Sequence, residues 1–149
     1  MNTTGKIIIH DDSSTLEPII FLDQTYFPNP WPRDQWLKTD FNKNVLLEWN
    51  LKESTLGFAL FGLLPGDDTA HLYKIFIVPE YQGQGEAHHF WLHVLSLLRQ
   101  KAMKFIYLEV ESTNEQALSF YKKVGFVCLR RVKSYYSNGN DGLMLQLTL

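Results

Sequence analysis

Ile75-Phe76-Ile77-Val78-Pro79-Glu80-Tyr81-Gln82-Gly83-Gln84-Gly85-Glu86-Ala87 is the stretch on which the reading of this chain turns. Four apolar residues run into a proline, glycines follow at positions 83 and 85, and a helical pattern opens. A strand therefore ends in a glycine-bearing loop that leads into a helix. Glycine lets a backbone come close to a ligand. The first N–H groups of a helix lack internal acceptors, and its positive dipole end favours an anion, so a phosphate suits this junction. The same junction also serves as ordinary strand-to-helix architecture, and spacing alone leaves both readings open. It is neither a P-loop nor a dinucleotide fingerprint, because the Lys-Ser/Thr pair is absent and the glycine spacing differs.

Working outward, Gly85 to Arg99 reads as a helix with Phe90, Trp91, Val94, Leu95 and Leu98 along one stripe. Phe105 to Glu111 is a strand. Ser112 and Glu115 match a capping box that opens a helix to Val124, and Gly125 stands where a left-handed helix end belongs. Phe126 to Lys133 and Leu143 to Thr148 are strands joined by a turn-rich segment, Ser137 to Gly142. Upstream, His71 to Val78 is a strand, preceded by the turn Pro65-Gly66-Asp67-Asp68 and by a hairpin of Val45 to Leu51 with Gly57 to Leu64. Phe27-Pro28-Asn29-Pro30-Trp31-Pro32 is a stiff aromatic loop, since three prolines fix φ and remove donors. It joins a helix ending near Tyr26, opened by a Ser14/Glu17 capping box, to a short helix from Arg33 to about Phe41; Lys6 to His10 is the first strand. Strands grouped early and alternating with helices late predict a mixed sheet with helices on its faces.

The 149 residues suit one domain, 1–149. Hydrophobic residues at 45% and charged residues at 20% argue against global disorder. A net charge of −2 offers no whole-chain field for nucleic acid; Lys122, Lys123, Arg130, Arg131 and Lys133 read as a solvated face. The single cysteine, Cys128, excludes an internal disulfide and reads as a small core residue of an apolar strand. No stretch resembles a leader peptide or reaches the about 20 apolar residues of a membrane helix. Cytoplasm is the expected compartment.

The signature Gln/Arg-x-x-Gly-x-Gly/Ala after a strand reads here as Gln82-x-x-Gly85-x-Ala87. Tyr107-Leu108-Glu109-Val110, Asn114, Ala117-Leu118-x-x-Tyr121-x-x-x-Gly125-Phe126 and Tyr135-Tyr136 follow it. On these motifs the chain resembles the GCN5-related N-acetyltransferases (GNAT). From about Leu72 to Tyr136 it is most similar to the bacterial ribosomal-protein N-terminal alanine acetyltransferases, and Phe27-Pro28-x-x-Trp31 adds a weaker echo. The resemblance implies an α/β (α+β mixed) fold, a central twisted mixed sheet of about six to seven strands flanked by about four helices. It implies acetyl-coenzyme A as co-substrate and an amine acceptor, with direct attack in a ternary complex. Backbone groups of Ile75, Phe76 and Ile77 would meet the acetyl and pantetheine part. Gln82 and the amides of Gly83, Gln84, Gly85, Glu86, Ala87 and His88 would wrap the pyrophosphate, and Asn114 would touch the coenzyme. Glu109 would be the general base and Tyr121 the general acid. Phe27, Trp31, Tyr135 and Tyr136 would line the acceptor groove.

Elementary chemistry agrees. A protonated amine cannot attack a thioester, and a carboxylate can take the proton. A departing thiolate needs a proton or a hydrogen bond, which a phenol supplies. The bland alternatives are a surface residue or structural ion pair for Glu109 and aromatic core for Tyr121. The reaction needs no metal: His89 and His93 stand four apart, but no third ligand is evident, so His71, His88, His89 and His93 read as solvated or packing residues. Two departures touch the coenzyme site. His88 stands where relatives often carry Arg or Lys, and Glu86 would repel pyrophosphate unless it points to solvent. For the acceptor, an α-amine with a pKa of about 7.7–8.0 is easier to deprotonate than lysine at about 10.4. This favours a protein N-terminus. A small-molecule amine stays open, as does a non-catalytic acyl-coenzyme A sensor.

Overall fold

A computed structural model describes residues 5–83 and 85–149. The chain order is β1 (Lys6–His10), α1 (Glu17–Tyr26), α2 (Arg33–Leu37), β2 (Asn44–Leu51), β3 (Ser54–Leu63), β4 (Thr69–Ile77), a 3-10 turn (Pro79–Tyr81), α3 (Gly85–Gln100), β5 (Phe105–Glu111), α4 (Glu115–Val124), β6 (Val127–Val132) and β7 (Gly142–Thr148). The strands form one sheet in the order β1-β2-β3-β4-β5-β7-β6. Every pairing is antiparallel except β4 with β5. The mixed α/β architecture expected from the sequence is thus present. No helix among the described residues is long and apolar enough to cross a membrane.

Alternating side chains split the core between two faces. Leu47, Trp49, Ala59, Phe61, Leu72, Ile106, Leu108 and Leu145 pack with Phe90, Trp91, Val94 and Leu98 of α3 and Tyr121 of α4. On the other face Leu46, Phe58 and Leu60 pack with Leu16, Ile19, Ile20 and Leu22 around α1 and Trp36 of α2.

The feature that positions the site is the β4–β5 seam. These parallel strands pair only over Thr69–His71 with Phe105–Tyr107. Beyond that the strands part and leave a V-shaped opening between the C-terminal half of β4 and the rest of β5. A bulge helps: Leu60 pairs with Lys74 and Phe61 with Leu72, so Tyr73 is the extra residue in β4. The extra residue shifts the phase, so that Leu72 and Ile75 both reach the α3–α4 face.

Several local expectations need correction. The Ser14–Glu17 capping box does not form. Ser14 instead donates from its N–H (2.9 Å) and hydroxyl (2.6 Å) to Asp12 Oδ1, Leu16 is the N-cap of α1, and Glu17 pairs with Arg33. Asp12 wins because an aspartate two residues upstream closes a local turn that competes with a helix cap. At α4 the cap is Asn114 rather than Ser112, its Oδ1 accepting from the Ala117 N–H at 3.2 Å. The helix after the proline loop stops at Leu37, short of Phe41. Asp40 turns the chain there by accepting from the Asn42 N–H at 2.9 Å. Strand β3 begins at Ser54, three residues before Gly57, because Lys52 and Glu53 close the hairpin with φ of 50° and 68°. Cys128 is exposed, not buried: β6 is the edge strand, and Val127 and Leu129 are exposed beside it.

Candidate active site

Register decides which backbone groups line the V. The Val78 N–H donates to the Leu56 carbonyl at 2.8 Å, which makes that pair a hydrogen-bonded one. Antiparallel pairs alternate, so Phe76 and Lys74 also spend their backbone groups on β3. Ile75 and Ile77 turn theirs towards the opening. Phe76, named with them from the sequence, is directed the other way, and its ring stacks on Tyr26 at 4.7 Å.

Gln82 closes the end of the strand. Its Nε2 donates to the Ile77 carbonyl at 2.7 Å, and its Oε1 accepts from Gln116 of α4 at 2.9 Å. The loop is thereby tied to β4 on one side and to α4 on the other. Gly83 has φ of 73°, a left-handed conformation that glycine adopts at no steric cost. A Cβ at Gly83 or Gly85 would meet nothing within 4 Å, so the space in front of the loop is open. The N–H groups of Gly85, Glu86, Ala87 and His88 belong to the first turn of α3, where no helical acceptor exists. This open, donor-rich turn beside free strand amides fits a diphosphate joined to an extended pantetheine chain. Gln84 lies outside the described residues. Glu86 lines a hollow of about 260 Å³ with Trp49, His89, Phe90 and His93, on the β2 flank of α3. His88 is exposed. Asn114 uses its side-chain oxygen as the α4 cap. Among the described residues no three His, Cys, Asp or Glu are grouped to hold a metal.

At the fork of the V stand Glu109 and His71. Glu109 shares the α1–α2 face with Tyr107, since Ile106, Leu108 and Val110 take the other face. His71 Nε2 lies 2.7 Å from Glu109 Oε2. A carboxylate only accepts, so the imidazole Nε2–H is the donor. Both side chains remain partly exposed, 34% for His71 and 24% for Glu109, so the pair is reachable. The His71 ring contacts Tyr73 at 4.6 Å and Tyr107 at 5.2 Å between centroids. Tyr73 continues to Trp31 at 6.5 Å, and Trp31 to Trp36 at 4.9 Å. An aromatic wall thus runs from the α1–α2 loop to the fork. Phe27 is half-buried against Phe58 and Phe76.

Tyr135 and Tyr136 are in edge contact with each other at 5.0 Å. Burial, then the charges of Tyr135 and Glu109, push the Tyr136 phenol up to about 12. Tyr121 is 9% exposed, packed on Phe126 at 5.2 Å. Burial, with a smaller contribution from Tyr136, pushes its phenol up to about 12. Tyr136 therefore lies within electrostatic reach of both Glu109 and Tyr121. Burial also raises the Tyr107 phenol, with Glu109 second.

Sequence spacing alone did not find His71, which reads there as a packing histidine. Its partner lies 38 residues away, and only the parallel seam joins them. Asp23 and Lys74, buried beside the aromatic loop, were missed for the same reason.

Comparison with known proteins bears on these features. The family model described as "Acetyltransferase (GNAT) family" matches residues 10–126. N-alpha-acetyltransferase 30 of Schizosaccharomyces pombe is 30% identical over 116 residues, 78% of this chain and 72% of that protein. Among solved structures, the ribosomal-protein-S18-alanine N-acetyltransferase from Escherichia coli superposes with a TM-score of 0.80 at 22% identity, covering 96% of this chain and 94% of the other. Arabidopsis thaliana Naa50, in complex with the bisubstrate analogue CoA-Ac-MVNAL, gives 0.78 at 20% identity, covering 96% and 99%.

Proposed function

The chain belongs to the acetyltransferase (GNAT) family, and on that footing we propose that it transfers acetyl from acetyl-coenzyme A to the free α-amine of a protein N-terminus. The observation that carries this reading is the Glu109–His71 pair at 2.7 Å, set at the fork of the V and at the end of an aromatic wall.

Energetics favour that amine. At pH 7 an α-amine is about one pH unit below its pKa and a lysine about 3.4 units, so freeing the lysine costs roughly 3.3 kcal/mol more. A carboxylate is a modest base and suits the cheaper proton. The names of the relatives point the same way: an N-alpha-acetyltransferase and an enzyme acting on a ribosomal-protein alanine.

In this reading Ile75 and Ile77 align the thioester as an extra strand edge, and the first turn of α3 holds the diphosphate. Glu109 takes a proton from the amine, directly or through water, as nitrogen bonds to the acetyl carbon. The carbon–sulfur bond then breaks and the electron pair leaves on sulfur. His71 holds Glu109 in place and occupies Oε2, leaving Oε1 for the acceptor. Tyr121 is assigned as the donor to the leaving sulfur. A phenol near 12 opposite a thiol of ordinary pKa about 8.5 keeps its proton, since full transfer is uphill by about 3.5 units or 5 kcal/mol. The general-acid role therefore narrows to hydrogen-bond donation to the thiolate. Phe27, Trp31, Tyr135 and Tyr136 flank the acceptor. The chemistry requires no metal, and the reading carries a cytoplasmic location with it.

Thiol release from acetyl-coenzyme A across an amine panel tests the proposal. The panel holds Ala-, Ser- and Met-starting peptides, an N-blocked peptide with an internal lysine, and small amines. Release with free N-termini, and little with the blocked peptide, is the expected result. Release only with small amines, or binding of acetyl-coenzyme A without release from any amine, would overturn it.

A further inference from the structure

Asp23 and Lys74 form a fully enclosed charge pair that nothing in the proposed chemistry uses. Asp23 is 0% exposed and Lys74 7%. The Lys74 ammonium donates to Asp23 Oδ1 at 2.6 Å. The other carboxylate oxygen, Oδ2, accepts from the Trp31 backbone N–H at 2.8 Å and from Trp36 Nε1–H at 2.8 Å. Lys74 Nζ also sits 4.4 Å from the Phe27 ring centroid and 5.7 Å from that of Trp31.

Four distinct elements meet here, α2 through Trp36. Asp23 is on α1, Trp31 and Phe27 are on the proline-rich loop, and Lys74 is on β4 at the bulge. Lys74 directly precedes Ile75, whose backbone opens into the V. Three prolines make the loop stiff. It therefore moves as one piece, and its contacts at Asp23 and Lys74 fix where that piece lies. Lifting it would take the Trp31 N–H from Asp23 Oδ2 and both rings from the Lys74 ammonium, leaving the buried pair short of partners. Such a loss at buried charges is far costlier than at the surface.

We infer that the Asp23–Lys74 pair positions the acceptor loop against β4, and so sets how well an amine is held at the fork. The inference rests on the reading of Phe27 and Trp31 as acceptor-groove residues. Asp23 and Lys74 are positioning residues: their polar atoms are spent on each other and on the loop, and they act through Phe27 and Trp31. A pair of this kind governs acceptor binding while leaving the coenzyme wall alone, because β4 stays paired with β3 around Ile75 and Ile77 and Gln82 holds the Ile77 carbonyl.

Steady-state kinetics with the best peptide of the amine panel test this. The variants are Lys74→Met, Asp23→Asn, the double Asp23→Asn/Lys74→Met, and Trp31→Ala, each checked by thermal melt. Lys74→Met leaves a buried carboxylate unpaired and loses the most stability. The double variant removes both charges at once, leaves no unpaired buried ion and serves as the folded test case. It should raise the acceptor KM at least tenfold, leave the acetyl-coenzyme A KM within twofold and lower kcat less than threefold. A folded double variant with an unchanged acceptor KM would overturn the inference, as would an equal rise in the acetyl-coenzyme A KM. Trp31→Ala separates the two levels. If it too leaves the acceptor KM unchanged, the loop is not an acceptor wall and the underlying reading fails. If only Trp31→Ala raises it, the wall stands and the anchor fails.

Discussion

In the proposed reaction each side chain at the fork has one separable task, which gives it its own kinetic signature. Removing the imidazole donor from Glu109 costs a hydrogen bond to a charged group, about 1.5–3 kcal/mol. His71→Phe should therefore lower kcat about 10- to 100-fold, and His71→Gln, which can still donate, should recover much of that; equal losses in both would deny His71 this role. Tyr121→Phe removes one donor from the developing thiolate and should cost about 100-fold in kcat. Because the Tyr121 phenol is pushed up to about 12, wild-type activity should show no alkaline loss from that group below about pH 11. A loss centred near pH 10 would contradict the burial argument. His88→Arg places a fixed charge at the exposed start of α3 and should tighten the acetyl-coenzyme A dissociation constant; an unchanged constant on titration would count against it. These residues were unequally legible. Glu109 and Tyr121 stand in spacings that a family resemblance can read. His71, Asp23 and Lys74 act on partners 38 and 51 residues distant, and no local pattern encodes those pairs.

Among the elements, α4 offers the cleanest thermodynamic tests. Asn114→Ala removes a side-chain cap and should cost about 1 kcal/mol in urea unfolding. Gly125 ends the helix at φ of 107°, and a Cβ there would stand 3.3 Å from Leu147 Cδ1. Gly125→Ala should cost about 1–2 kcal/mol. Neutral values for both would mean that α4 is held by packing alone. The Gly125 ending was readable because a left-handed position selects glycine. The Lys52-Glu53 turn was not, because two residues without that preference hold positive φ, and the β3 start was misplaced by three residues. Periodicity located the strands, yet could not say which lies at an edge; Val127-Cys128-Leu129 has the composition of a core strand and sits exposed on β6. Caps erred where two acceptors compete within a few residues, as Asp12 does with Ser14 and Asn114 with Ser112.

The molecule as a whole combines a sheet closed by packing with one seam left open, and a network on β1–β3 contributes to its acid stability. Burial pushes the Glu48 carboxyl up, but donors from His10, Asn50 and Thr55 outweigh it, and the net direction is down from 4.5. A lowered carboxyl gives stability that is present above the unfolded value and lost as pH falls through the folded one. Wild-type unfolding midpoints should therefore drop below about pH 4.5, and Glu48→Gln should flatten that drop; parallel curves would reject the assignment. The open seam is tested most directly by the pH dependence of thiol release with an N-terminal peptide, wild type against Glu109→Gln. The variant should lose about 100-fold or more, with the greatest loss at low pH where the amine is protonated. Two profiles of the same shape, differing by a constant factor or not at all, would contradict a base at Glu109 and with it the chemistry assigned to the V.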